Sequence, residues 1–318
     1  MSLALMSGFL CVAFGINPPT MKNLTNYLFI IFILILASCS KKASDVVSAP
    51  QLSEVKYVTT GDVKMAYRTI GEGYPLLLCM GYTGVMDMWA PVLLQKLAET
   101  YKVIIFENRG MGYSTIINDT AVFSIKLFAK DAANLMNALN IQKAHVMGWS
   151  MGTYIAQELA LGYPDKADKV ILYAADCGDS VTIQPDSALM ASLTDPNTSP
   201  ATKLLVLFPP EWLTRSDALA YFPMDVKEAD LNICKRQDVA CQNWFKEGGG
   251  TSNRLSGFGK KTLLITGDQD IATPWKNTMI MQPLITNCKI LIVPGCGHGL
   301  MYQYPYDLAG HVLTFLKE

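Results

Sequence analysis

The chain has 318 residues, a formal net charge of -1 and a 50% share of hydrophobic residues. Near-neutral charge excludes the electrostatic footprint of a nucleic-acid-binding protein, and the length allows one large α/β domain or two smaller ones. A chain of this size buries enough surface to fold without disulfides.

Residues 1–39 have the composition of a leader. Met21-Lys22-Asn23 opens a polar, basic start, and 27–36 is an unbroken apolar run, too short to span a bilayer but suited to the hydrophobic region of a signal peptide. The natural start is read at Met21, with 1–20, closed off by Asn17-Pro18-Pro19, lying upstream of it. The apolar run ends in Leu36-Ala37-Ser38-Cys39, followed by Ser40-Lys41-Lys42. This resembles the lipobox of bacterial lipoproteins. The resemblance implies export, lipidation of Cys39 and anchoring to a membrane of the bacterial envelope; an ordinary secretory signal cut nearby is the alternative. Small, polar residues over 40–53 read as a tether.

A folded region begins at Glu54. Segments 54–60 and 63–70 pair around Thr60-Gly61-Asp62 as a hairpin. Leu76-Leu77-Leu78-Cys79-Met80 is a continuous apolar run, expected of a strand buried on both faces, and opens into Gly81-Tyr82-Thr83-Gly84 before a helix over 86–100. The next strand, 103–106, ends in Glu107-Asn108-Arg109-Gly110-Met111-Gly112-Tyr113-Ser114, and 123–139 is an amphipathic helix.

Ala144-His145-Val146-Met147 is then a short buried strand, Gly148-Trp149-Ser150-Met151-Gly152 is G-x-S-x-G, and 153–163 continues as a helix. Strand, sharp turn and helix make the pentapeptide a nucleophile elbow rather than an ordinary turn. A further strand, 170–174, completes the first half. Strand and helix alternate throughout, which predicts a mostly parallel, doubly wound sheet of about eight strands.

The alternation stops at Cys177. Residues 178–259 carry Pro185, Pro196, Pro200, Pro209 and Pro210 and short amphipathic pieces at 202–207 and 216–221, which predicts a helical insertion rather than a structureless loop. The core is therefore divided into 54–177 and 260–318. It resumes with a strand at 262–265, a helix over 274–284, a strand at 289–293 and a terminal helix, 305–316. Six cysteines follow Cys39, with no C-x-x-C spacing, and with three histidines no metal site is expected. Cys288 and Cys296 bracket a strand and lie too far apart to bridge; Cys234 and Cys241 can pair only if one continuous helix does not span them.

A serine nucleophile needs a base oriented by an acid. His145 lies in the elbow strand and His311 on the terminal helix, so elimination leaves His298, in Gly295-Cys296-Gly297-His298-Gly299 beyond the last strand. That edge is where sites form in open α/β sheets. Asp176, Asp268 and Asp270 all qualify as the acid by position.

The order Ser, Asp, His, with these motifs, resembles the α/β-hydrolase fold superfamily from about Glu54 onward. The resemblance implies that Asp270, the second aspartate of Gly267-Asp268-x-Asp270-x-x-x-Pro274, orients His298. It sets Phe106-Glu107-Asn108-Arg109-Gly110-x-Gly112-x-Ser114 against the D-x-R-G-x-G-x-S signature, with Glu107 for the commoner aspartate. It sets Met80-Gly81-Tyr82-Thr83-Gly84 in the place of the H-G-x-x-G oxyanion loop, making the Tyr82 and Met151 amides the donors, with Met80 replacing histidine. It makes the insertion, following the sixth predicted strand, a cap. Trp149, Trp212 and Phe222 are pocket candidates. The implied protein is a lipid-anchored serine hydrolase acting on an ester or related acyl bond of a small, apolar substrate, with no cofactor. Amidases, carbon–carbon bond hydrolases, perhydrolase-type haloperoxidases and triad-retaining ligand receptors share the resemblance.

Overall fold

Alternating burial along the central strands sets the architecture. The computed structural model describes residues 52–195, 197–223 and 226–318; the leader, Cys39 and most of the tether lie outside them. Along β3 (Tyr74–Cys79), Leu76 and Leu78 enter one apolar core while Leu77 and Cys79 enter another on the opposite face. The same division recurs in β4 (Tyr101–Phe106) and β6 (Ala144–Trp149). Strands buried on both faces cannot alternate apolar with polar residues, which is why they appear as continuous apolar runs.

The remaining strands are β1 (Lys56–Thr60), β2 (Val63–Ile70), β5 (Thr115–Ile116), β7 (Ala167–Tyr173), β8 (Thr262–Gly267) and β9 (Cys288–Val293). Their order is β1-β2-β4-β3-β6-β7-β8-β9, antiparallel at the β1-β2-β4 end and parallel from β4 to β9. The sheet has nine strands, one more than expected: β5, only two residues long and paired with β2, is too short to leave a periodic signal.

Helices α1 (Pro91–Ala98) and α10 (Pro305–Lys317) cover one face, and α2 (Ile125–Ala138) and α3 (Met151–Gly162) the other. Helix α1 is shorter than the 86–100 reading because Pro91 starts it at its first turn, with Met86–Met88 forming a separate 3-10 turn. Ser124 caps α2 through the Leu127 amide (3.1 Å).

Between β7 and β8 the chain is helical: α4 (Ser187–Ser192), α5 (Pro200–Leu207), α6 (Pro210–Leu213) and α7 (Leu231–Trp244). Residues 216–221, expected to be helical, are turns. The longest of these helices, α7, escaped the reading because its buried stripe, Cys234, Gln237, Ala240 and Trp244, is partly polar. One continuous helix carries Cys234 and Cys241, so they do not pair, and all six cysteines are free thiols. After β8 come α8 (Lys276–Met281) and α9 (Leu300–Gln303). Among the described residues no helix is long and apolar enough to cross a membrane.

Candidate active site

Ser150 ends β6 and begins α3 with φ 56° and ψ -125°, a backbone conformation that costs a side-chain-bearing residue roughly 1–3 kcal/mol. Its amide donates to the Tyr173 carbonyl (3.0 Å), and its carbonyl accepts the Thr153 amide (2.8 Å) and hydroxyl (2.7 Å). The turn is tight enough that a Cβ on Gly148 would strike the Gly152 carbonyl, and one on Gly152 would strike the Cys79 carbonyl. Both positions of G-x-S-x-G therefore require glycine for close backbone approach.

Asp270 stands beyond β8 and His298 beyond β9. The His298 ring nitrogen Nδ1 lies 2.9 Å from Asp270 Oδ2 and 3.1 Å from Oδ1. The Ala272 and Thr273 amides donate to Asp270 Oδ1 at 3.0 and 2.8 Å, so backbone donors fix the carboxylate that the imidazole contacts. The histidine backbone is pinned as well. Trp149 Nε1 (3.1 Å) and the Tyr173 hydroxyl both donate to the His298 carbonyl. On either side, the Gly297 amide donates to Gln303 (2.8 Å) and the Gly299 amide to the Leu207 carbonyl at the end of α5 (2.7 Å). Ser150 and His298 line one cavity together.

The other candidates separate cleanly. Asp268 accepts the Gly295 amide (2.7 Å) and holds the histidine loop. Asp176 accepts the Tyr154 hydroxyl (2.6 Å), Trp244 Nε1 (2.9 Å) and the Gly178 amide (3.0 Å), tying α7 to the core. His145 is buried between the Tyr74 and Tyr101 rings at 4.7 and 5.6 Å, and burial lowers its pKa. His311 is exposed on α10.

The Gly81–Gly84 loop abuts the serine: a Cβ on Gly81 would sit 3.2 Å from Ser150 Cβ. Among the described residues neither the Tyr82 nor the Met151 amide is committed to a hydrogen-bond acceptor. Met80 is buried, its thioether packed under Gly84, and fills the interior without a polar group. The loop is braced by two residues that the sequence reading missed or left without a role: Gln237 of α7 accepts the Thr83 amide (3.1 Å), and Glu107 accepts the Met86 amide (2.9 Å). Arg109 forks onto Asp131 (2.7 and 2.8 Å) and reaches Asp62, fastening β4 to α2 and the β1–β2 turn.

Two cavities meet at Ser150, of about 530 and 280 Å³. Trp149 and Phe222 line the larger. Trp212 lines neither. Its ring packs on Tyr304 (5.2 Å) under the Arg215 guanidinium, and its Nε1 donates to the Ala218 carbonyl (3.1 Å), so it joins α6 to the C-terminal elements. Among the described residues no cluster of His, Cys, Asp and Glu could hold a metal ion.

The α/β hydrolase fold family matches residues 74–305. A Caulobacter segnis protein that carries the name carbamate hydrolase RutD is 23% identical over 82% of this chain and 99% of its own length. Among solved structures, an α/β hydrolase fold protein from Chitinophaga pinensis superimposes with a TM-score of 0.71 at 23% identity, covering 83% of this chain and 97% of that one. A thermophilic esterase from Thermogutta terrifontis gives 0.70 at 20% identity, covering 83% and 98%. With strand order and matched span in agreement, the chain belongs to the α/β-hydrolase fold family, and the coarse class its relatives share is that of a hydrolytic enzyme.

Proposed function

We propose that the chain is a serine hydrolase cleaving an ester or related acyl bond of a small, largely apolar molecule. The observation that carries this reading is His298 Nδ1 seated on Asp270 at 2.9 Å, with His298 and the strained Ser150 lining one cavity. His298 takes the proton from Ser150 as Oγ bonds to the carbonyl carbon, and the Tyr82 and Met151 amides stabilise the oxyanion. The intermediate collapses, the bond to the leaving group breaks, and His298 returns the proton to that group. Water, deprotonated by His298, then adds to the acyl-enzyme, and the Ser150–acyl bond breaks to release the acid. Asp270 holds the imidazole tautomer and stabilises the imidazolium throughout. The helical segment between β7 and β8, which supplies much of the wall of both cavities, acts as the cap.

The test is turnover of a short nitrophenyl ester together with labelling by a fluorophosphonate. Wild-type protein should turn over the ester and take one label on Ser150. A protein that binds without measurable kcat would be a ligand receptor, and the hydrolase reading would fall.

The leader belongs to the same reading: Leu36-Ala37-Ser38-Cys39 directs lipidation at Cys39 and anchors the enzyme to an envelope membrane. Expressed in a bacterium with its leader, the protein should partition into detergent, and Cys39→Ala should abolish the lipid. An uncleaved N-terminus with unmodified Cys39 by mass spectrometry overturns this part alone.

A further inference from the structure

The two cavities at Ser150 differ in chemistry as well as size. Ser150, Tyr82, Met190 and Ala272 line both, so they meet at the serine. His298 and Trp149 line only the cavity of about 530 Å³, whose wall is otherwise mostly apolar, with Met88, Leu204, Leu219 and Phe222, and carries one charged side chain, Lys203. Met151 lines only the cavity of about 280 Å³. There the wall carries Gln184, Ser187, Thr194, Asp238 and Gln242.

The reaction itself assigns the cavities. A leaving group must accept its proton from the histidine, so it departs on the side His298 lines. The oxyanion points at the Tyr82 and Met151 amides, and the acyl chain takes the remaining direction, into the smaller cavity. In that cavity Asp238 is half-buried, and Gln242 donates to its Oδ2 at 2.7 Å. Arg236, the nearest cation in sequence, is committed to Asp119 (2.7 and 2.8 Å), Lys235 one turn before Asp238 is exposed, and among the described residues no lysine or arginine pairs with Asp238. Its charge is felt inside the cavity: the Tyr82 phenol and the Cys241 thiol are both held above their ordinary values, chiefly by burial and then by Asp238. A carboxylate facing a pocket without a counter-ion favours a cationic ligand group, because a charged donor there restores the hydrogen bonding that burial removes.

We propose that the smaller cavity holds the acyl part of the substrate, with Asp238 selecting a short acyl group that bears a positively charged nitrogen, while the larger cavity holds a bulky apolar leaving group. This rests on the serine hydrolase reading above and adds the substrate class to it.

Two matched pairs of esters test the proposal with the full-length protein. Decyl acetate and methyl undecanoate are isomers that place their bulk on opposite sides of the carbonyl. The first should be the better substrate in kcat/KM by about tenfold or more. The 2-naphthyl esters of 3-aminopropanoic and butanoic acids differ by an ammonium in place of a methyl. At neutral pH the amino ester should be favoured by about tenfold, and Asp238→Asn should bring that ratio close to one. Each ratio is taken within one protein preparation, so partial loss of folded enzyme does not move it. Preference for methyl undecanoate overturns the assignment of the cavities. A butanoate preference in wild type, or an unchanged ratio in Asp238→Asn, overturns the role of Asp238. Both outcomes require turnover at Ser150 and leave the hydrolase reading standing. Absence of any Ser150-dependent turnover would instead remove that reading, and this proposal with it.

Discussion

Asp176 and Asp270 stand just beyond neighbouring strands, β7 and β8, and both are buried. By sheet position they are equivalent. They differ in what donates to them. Asp270 receives two backbone amides and a histidine. Asp176 receives a tyrosine hydroxyl, an indole and a backbone amide, and is closed to any reacting group. Burial pushes the Asp176 carboxyl up, opposed by those same donors. The edge of the sheet brings carboxylates to the site, and the donors around each one decide whether it serves chemistry or architecture.

The largest effects test that division directly. Ser150→Ala and His298→Ala should each lower kcat by on the order of 10⁴–10⁶, as expected of groups that act as a unit. Asp270→Asn should cost on the order of 10³–10⁴ with a near-normal melting temperature, since it misorients the base without removing it. Asp176→Asn should do the reverse, costing about 2 kcal/mol of stability because its NH2 group faces a donor and leaves a buried hydrogen bond unmade, while folded protein keeps its kcat. Thermal melts beside active-site titration separate the two. A well-folded Asp176→Asn enzyme with no turnover would break the comparison.

The same distinction divides Phe222 from Trp212. Both were pocket candidates because aromatics in a cap commonly face substrate. Phe222 lines the larger cavity, whereas Trp212 is enclosed by Tyr304 and Arg215. Trp212→Ala should therefore cost about 3–5 kcal/mol of stability and leave the ratio of kcat/KM between long and short esters unchanged. Phe222→Ala should shift that ratio. Equal shifts in both variants would return Trp212 to the pocket wall.

Much of the core was legible because its chemistry is periodic or local. Buried parallel strands appear as apolar runs, the elbow is a five-residue pattern, and three histidines made elimination decisive. The acid was not legible from position, because Asp176, Asp268 and Asp270 share an edge and only folding supplies their donors. The helical segment was least legible. Helix α7 buries Gln237, which accepts the Thr83 amide of the Gly81–Gly84 loop, and a buried glutamine at that position interrupts the apolar stripe by which helices are recognised. Asp238 beside it carried no motif at all.

A third carboxylate sharpens the comparison with the smallest effect. Glu107 follows β4 at the same edge; Oε2 accepts the Met86 amide (2.9 Å), the Tyr113 amide also favours its charged form, and among the described residues no side chain donates to the buried Oε1. Burial, with a smaller push from Asp87, raises its pKa from the ordinary 4.5 to about 7. The folded state thus prefers the protonated acid. Stability from that preference is complete below about 4.5 and is lost as pH rises through about 7, by up to about 3 kcal/mol. Glu107→Gln keeps an acceptor for Met86 but cannot ionise, so it should remove this component of the pH dependence. Urea melts between pH 5 and pH 8 should show wild type losing stability relative to the variant, whatever the offset between them. Because Glu107 braces the segment beside Tyr82, the variant should also flatten any matching decline in turnover that the triad does not cause. Parallel stability curves for the two proteins would mean that the donors around Glu107 offset its burial, and that donors, again, outweigh position.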